Sequence, residues 1–199
     1  MMNAAKVERS KIQPVLLFLR EYTRKFGNQG SLLPSSKYLS RTIASRVPVQ
    51  PGMLVVELGA GTGPFTRMIL SRMHPSGKLV VFENNPNLAE YIKGDIRDRR
   101  LRVIADDAGH MGKHLRRLGL RKADCIVSGL PLGDFRREDR KRILTAIRES
   151  LDDKGTFLQF QYFLASLLPI RRMFDTKIVS YVLRNFPPAF VYECRHKAD

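Results

Sequence analysis

The sequence predicts an α/β domain whose mostly parallel β-sheet is covered by helices on both faces. Three observations carry this expectation. After Pro51-Gly52, short apolar runs alternate with stretches of helical periodicity, the pattern of repeated βα units. The first such run, Val55 to Leu58, breaks into a glycine-rich turn ahead of a helix. The last two runs are joined only through Asn185-Phe186-Pro187-Pro188, which leaves an antiparallel pair at the C-terminal edge.

The elements follow in order. A helix is expected over 6–26, with Ile12, Val15, Leu16, Leu19, Tyr22 and Phe26 at helical spacing and Arg9, Arg20, Arg24 and Lys25 around them. Pro14 fits only near a helix start, and Leu17 and Phe18 widen the apolar face. A second helix runs from the Pro34-Ser35-Ser36 cap to residue 43. Strands are expected over 53–58, 78–83, 101–104, 124–128, 156–164, 177–183 and 189–194. Helices are expected over 65–73, 88–96, 111–118 and 138–151.

Bulk properties bound the function. The 199 residues suit one sizeable core, and 43% apolar with 27% charged residues is ordinary for a globular domain. No apolar run reaches the roughly 18 residues of a membrane span, and Met1 to Lys11 lacks the apolar region of a secretory signal. Cys125 and Cys194, each inside an apolar run, read as buried reduced thiols in a reducing compartment. The formal charge of +16 points to a polyanionic partner, nucleic acid or an anionic membrane surface.

The chemistry concentrates at strand ends. Val55 to Gly63 reads VVELGAGTG: Glu57 near the end of the first strand, then Gly59, Gly61 and Gly63 at alternate positions around Ala60 and Thr62. Glycine lets the backbone turn sharply and approach a ligand, and the following helix aims free N–H groups at a carboxylate or phosphate. The spacing G-x-G-x-G departs from the dinucleotide pattern G-x-G-x-x-G. Glu83, with Asn84 beside it, closes the second strand where an acid pairs with ribose hydroxyls. Asp106-Asp107-Ala108 follows the third strand and suits an adenine amino group. Each acid alone is equally a solvated strand end or a turn cap; three at successive strand ends imply one crevice.

These residues resemble the class I S-adenosylmethionine-dependent methyltransferases. The resemblance implies a Rossmann-like, seven-stranded mixed sheet in the order 3-2-1-4-5-7-6 with strand 7 antiparallel. It also implies cofactor contacts: Glu57 and Gly59 to Gly63 at the methionine part, Glu83 and Asn84 at the ribose, Asp107 and Ala108 at the adenine, and Ser128 beside the cofactor.

Strand four ends in Ser128-Gly129-Leu130-Pro131. Base-amino methyltransferases carry there an Asn- or Asp-centred tetrapeptide with Pro and a ring that stacks on the flipped base; this chain has neither amide nor ring. A resemblance to rRNA adenine dimethylases therefore fails at that position. G-S-L-L-P-S-S, S-G-L-P-L with Phe135, F-L-Q-F-Q-Y and R-N-F-P-P-A-F-V-Y together resemble the bacterial phospholipid N-methyltransferases, which convert phosphatidylethanolamine stepwise to phosphatidylcholine. Asp134, where a neutral residue is expected, and the run Leu167 to Arg172 depart from that pattern. The reaction needs mainly alignment and desolvation. Backbone carbonyls of Ser128, Gly129 and Leu130 would orient the amine. Tyr162 would hydrogen-bond the amine or phosphate, or face a methylated cation; it reads equally as a core or rim aromatic.

His74, His110, His114 and His196 stand outside any ligand spacing, so no metal is expected. Residues 1–30 are expected to form an amphipathic membrane-docking helix, and residues 31–199 the methyltransferase domain. Arg136-Arg137, Arg140-Lys141-Arg142 and Arg171-Arg172 would add attraction to anionic headgroups. The expected partners are an anionic membrane surface and a phospholipid, the expected state is a monomer, and the expected place is the cytoplasm at the inner face of the cell membrane. The alternatives are an rRNA adenine N6-methyltransferase-like enzyme using its charge on RNA, and a cofactor-binding module without catalysis.

Overall fold

The computed structural model describes residues 36–185 and 187–197; the helix expected over 6–26 and the 1–30 segment lie outside them. The Ser36 hydroxyl accepts the Leu39 N–H at 3.2 Å and starts helix α1 (Lys37–Ala44). The described strands are β1 (Leu54–Leu58), β2 (Lys78–Phe82), β3 (Leu101–Ile104), β4 (Ala123–Ser128), β5 (Leu151–Gln161), β6 (Phe174–Val182) and β7 (Ala189–His196). They form one sheet in the order β3-β2-β1-β4-β5-β7-β6. Neighbours from β3 to β5 pair in parallel, and β7 runs antiparallel to both β5 and β6. This is the expected Rossmann-like methyltransferase architecture.

Helices α2 (Pro64–Arg72), α3 (Pro86–Asp95), α4 (Met111–Arg117), α5 (Arg137–Ser150) and α6 (Leu167–Met173) complete the described fold. Side chains alternate across β1, so Leu54, Val56 and Leu58 enter a core shared with residues of α4, α5 and α6. Val55 enters a second core with residues of α1, α2 and α3. Cys125 and Cys194 are free and buried, and burial pushes both thiols up to about 12.

Three boundaries differ from the sequence reading by three residues or more. Strand β5 begins at Leu151 rather than 156, because Leu151 already pairs with Ala123 ahead of a register shift; the exposed Asp153-Lys154 hid it. It ends at Gln161 rather than 164, and Leu164 starts a 3₁₀ turn, Leu164–Ser166. Apolar residues continue past the ladder there, but Phe163 and Leu164 face solvent. Strand β6 begins at Phe174, paired with His196, and α6 occupies the Leu167 to Arg172 run with Pro169 in its first turn, where proline is tolerated.

The Asn185 motif has a structural task. Its Oδ1 accepts the Ser36 N–H at 2.9 Å and its Nδ2 donates to the Pro187 carbonyl at 2.7 Å, so the β6–β7 turn is tied to the start of α1. Arg46 Nη2 donates to the Val179 carbonyl at 2.7 Å and makes the same connection further along.

Candidate active site

Sheet register assembles the site. Ile104, Phe82, Leu58, Ser128 and Gln159 pair across β3, β2, β1, β4 and β5 as one row. The residue after three of these then bonds to the neighbouring strand. Glu83 N donates to Ile104 O at 3.1 Å, Gly59 N to Phe82 O at 2.8 Å and Gly129 N to Leu58 O at 2.8 Å. The expected cofactor turn and the expected acceptor tetrapeptide thus leave adjacent strands side by side.

Glu57 is buried in β1, and its Oε2 accepts the Thr66 hydroxyl at 2.7 Å. Its Oε1 is buried with no hydrogen-bond partner among the described residues. Burial pushes the carboxyl up to about 7, against the Thr66 hydrogen bond. Gly59, Gly61 and Gly63 have φ of 73°, 58° and 81°, the left-handed region that favours glycine. Gly61 N donates to Glu83 Oε2 at 2.9 Å and Asn85 N to Glu83 Oε1 at 3.0 Å, so Glu83 braces the turn from the end of β2. Asn84, between them, is exposed.

The two aspartates after β3 separate. Asp106 accepts from His110 Nδ1 at 3.0 Å and His114 Nε2 at 2.7 Å. Those bonds, His114 first, hold its carboxyl well below the usual range. Asp107 instead caps the 3₁₀ turn Ala108–His110 through Gly109 N and pairs with Arg142 of α5. Burial alone raises Asp107, but the Arg142 and Gly109 hydrogen bonds and the Arg142 charge outweigh it and leave the carboxyl below its ordinary value.

Gly129 is fixed by close approach: a Cβ there would lie 3.0 Å from Gly59 O and 3.2 Å from the Phe160 ring. The Ser128 hydroxyl accepts Leu130 N at 3.2 Å. The Leu130 carbonyl corrects one expectation, because it is not an open acceptor for an amine. Gln159 Nε2 at 3.1 Å and Gln161 Nε2 at 2.9 Å both donate to it, and two donors fill a carbonyl's lone pairs. Tyr162 lies one residue beyond β5 and meets Phe160 edge-on at 5.9 Å; Phe160 in turn lies 5.1 Å from Phe65. This aromatic row runs from α2 beneath the glycine turn to the rim after β5.

Sequence reading brought Glu57, the three glycines, Glu83, Asp107 and the tetrapeptide to one crevice; the structure sets them at the carboxyl ends of the neighbouring strands β1 to β4. It missed Thr66, Arg142, Gln159 and Gln161. Two glutamines at alternate positions of an otherwise apolar strand were the available signal for the last two; Thr66 and Arg142 gave none. Beyond the acceptor floor, a Cβ on Gly133 would lie 3.4 Å from that of Ala165, so the loop after β4 abuts the 3₁₀ turn after β5. Phe163 and Leu168 are 69% and 68% exposed beside that contact, and Arg171 and Arg172 follow on α6, also exposed. No described helix is long and apolar enough to cross a membrane, and no described cluster of His, Cys, Asp or Glu is arranged to hold a metal ion.

The crevice suits a ligand with an ammonium near the glycine turn, vicinal hydroxyls near Glu83 and an amino-bearing base near Asp107. The buried, half-satisfied Glu57 carboxylate is the strongest sign, since an orphaned buried oxygen costs stability unless a ligand fills it.

Comparison with known proteins agrees. Residues 26–112 match the family model described as ribosomal RNA adenine dimethylase. The chain is 35% identical over 187 residues to an ornithine lipid N-methyltransferase from Singulisphaera acidiphila, covering 90% of this chain and 94% of that one. Among solved structures, a precorrin 8w decarboxylase from Methanobacterium thermoautotrophicum superposes with a TM-score of 0.64 at 16% identity, covering 81% of this chain and 91% of that one. A glycopeptide N-methyltransferase complexed with S-adenosylmethionine superposes with a TM-score of 0.63 at 12% identity, covering 87% and 99%; both likenesses concern the fold alone.

Proposed function

The chain belongs to the S-adenosylmethionine-dependent methyltransferases, in the family of the ornithine lipid N-methyltransferase, and from that premise we propose that it methylates the primary amine of a membrane aminolipid. The finer reading is phosphatidylethanolamine, methylated stepwise towards phosphatidylcholine, by a monomer docked on the cytoplasmic face of the cell membrane. One observation carries the lipid reading: the loop after β4 abuts the 3₁₀ turn after β5, whose neighbours Phe163 and Leu168, with Arg171 and Arg172, are exposed. Gly129, Leu130 and Phe160 line the floor without the amide and ring that a flipped base requires.

When bound, the cofactor supplies a methyl group on a sulfonium centre whose thioether is a ready leaving group, so the protein's work is alignment and desolvation. Glu57 would offer its open buried oxygen to the ammonium, and Glu83, which holds the glycine turn in shape through Gly61, would hold the ribose. Gln159 and Gln161 fix the floor by holding the Leu130 carbonyl. Phe160, nearly fully buried, with Leu130 gives that floor a low dielectric, which favours the neutral amine over the ammonium. Phe163, Leu164 and Leu168 with Arg171 and Arg172 form the rim on which a bilayer would rest, apolar side chains in the interface and guanidinium groups at anionic headgroups.

Ornithine lipid is the second reading for the headgroup, favoured by the 35% identity across 90% of the chain. RNA is less well supported: the adenine dimethylase match ends at residue 112, before β4 and the acceptor floor. The test incubates the protein with labelled S-adenosylmethionine and liposomes containing phosphatidylethanolamine or ornithine lipid, or with bulk rRNA. Label in lipid is expected, and the two liposomes identify the headgroup. Label in RNA alone would overturn the lipid reading.

A further inference from the structure

We infer that Arg142 is the positioning residue of the adenine subsite, fixing Asp107 in one rotamer as an acceptor-only carboxylate so that the subsite selects a purine offering an amino group. The inference rests on Asp107 facing the adenine of the cofactor. Three observations converge on it. Arg142 approaches from α5, thirty-five residues away in sequence, with Nη1 at 2.5 Å from Oδ1 and Nη2 at 3.3 Å from Oδ2 of Asp107. Gly109 makes the space: a Cβ there would lie 1.9 Å from Arg142 Nη1 and 2.9 Å from Asp107 Oδ1, so any other residue would shift the guanidinium from this position. The contacts are also unequal, since Oδ1 takes Gly109 N at 2.7 Å as well as Nη1, whereas among the described residues Oδ2 has only the longer Nη2 contact. Oδ2 is therefore the oxygen with capacity for a further donor.

The neighbouring acid does not share this task. Asp106 is held by His110 and His114 on its two oxygens. The charged groups that face Asp107 are Arg142 from α5 and His110 from the 3₁₀ turn, with Asp139 holding Arg142 from behind at 3.4 Å. Arg142 and the Gly109 N–H keep the carboxyl ionised against its burial. An ionised carboxylate accepts from an exocyclic amino group and repels a 6-oxo group, whereas a protonated one can donate to the oxo form. Removing the guanidinium frees the rotamer and lets burial raise the carboxyl.

The test is calorimetry of S-adenosylhomocysteine and its 6-oxo analogue, S-inosylhomocysteine, on the full chain between pH 4 and pH 8. For R142M, adenosyl affinity is expected to fall about tenfold at pH 8. Preference over the inosyl analogue should shrink, and the acid limb of binding should move to higher pH than in the parent protein. R142K, which keeps the charge but not the fork, should restore the pH profile and only part of the affinity. G109A, which shifts the fork with the charge still present, should lower the affinity as R142K does and keep the parent pH profile. R142M matching the parent in affinity, preference and pH profile would overturn the role of Arg142. D107A with unchanged affinity would instead reject the adenine assignment beneath it; weakened D107A with unaffected R142M rejects Arg142 alone.

Discussion

The Thr66 hydroxyl donates to Oε2 of Glu57 at 2.7 Å while Oε1 stays buried with no partner among the described residues, so α2 grips the acid by one oxygen only. The carboxyl is raised from 4.5 to about 7, chiefly by burial. Between those values the native state holds more protons than the unfolded chain, so stability falls as pH rises through the window and levels off above it. The difference corresponds to about 3 kcal/mol. Thermal unfolding of the cofactor-free protein should show this slope. Glu57→Gln should flatten it and raise the midpoint at pH 8, while calorimetry shows weaker cofactor binding.

Glu83 holds Gly61 N through Oε2 and Asn85 N through Oε1. Glu83→Ala should therefore weaken cofactor binding at least tenfold, by losing the brace on the glycine turn together with the carboxylate proposed for the ribose. Calorimetry reads this directly, and equal affinity would reject the assignment.

Gly129 packs between two groups that yield little, the Gly59 carbonyl and the Phe160 ring. Gly129→Ala should cost about 1 to 3 kcal/mol in denaturant unfolding. It should also lower kcat and cofactor affinity together, because the cofactor turn and the acceptor floor touch at this point.

The Leu130 carbonyl takes two side-chain amides. Gln159→Leu or Gln161→Leu leaves one donor; the double variant leaves none and should be destabilised beyond the sum of the singles by about 1 to 3 kcal/mol. Both singles should lower kcat with cofactor affinity preserved. That split separates a floor defect from a cofactor-site defect.

If the rim after β5 meets a bilayer, Phe163→Asp with Leu168→Asp should reduce flotation with anionic liposomes several-fold. Both side chains are largely exposed, so folding and S-adenosylhomocysteine binding should not change. Flotation equal to the parent protein would remove this rim from the docking surface.

The sequence by itself determined the βα alternation, the glycine turn and the acids at successive strand ends, because local patterns of period two and 3.6, and glycine's access to positive φ, are written in consecutive residues. Even β3, a four-residue strand, was legible to the residue. The start of β5 was not, since its first residues are polar and only pairing of Leu151 with Ala123 makes them a strand. Helix α6 was hidden by its proline. The division of labour between Asp106 and Asp107 was equally hidden: adjacent identical residues differ only in what the fold brings to them, His114 from α4 and Arg142 from α5. The same holds for the Leu130 carbonyl, closed by glutamines about thirty residues downstream. Sequence encodes what a residue can offer; long-range register and helix packing decide which offers are already taken.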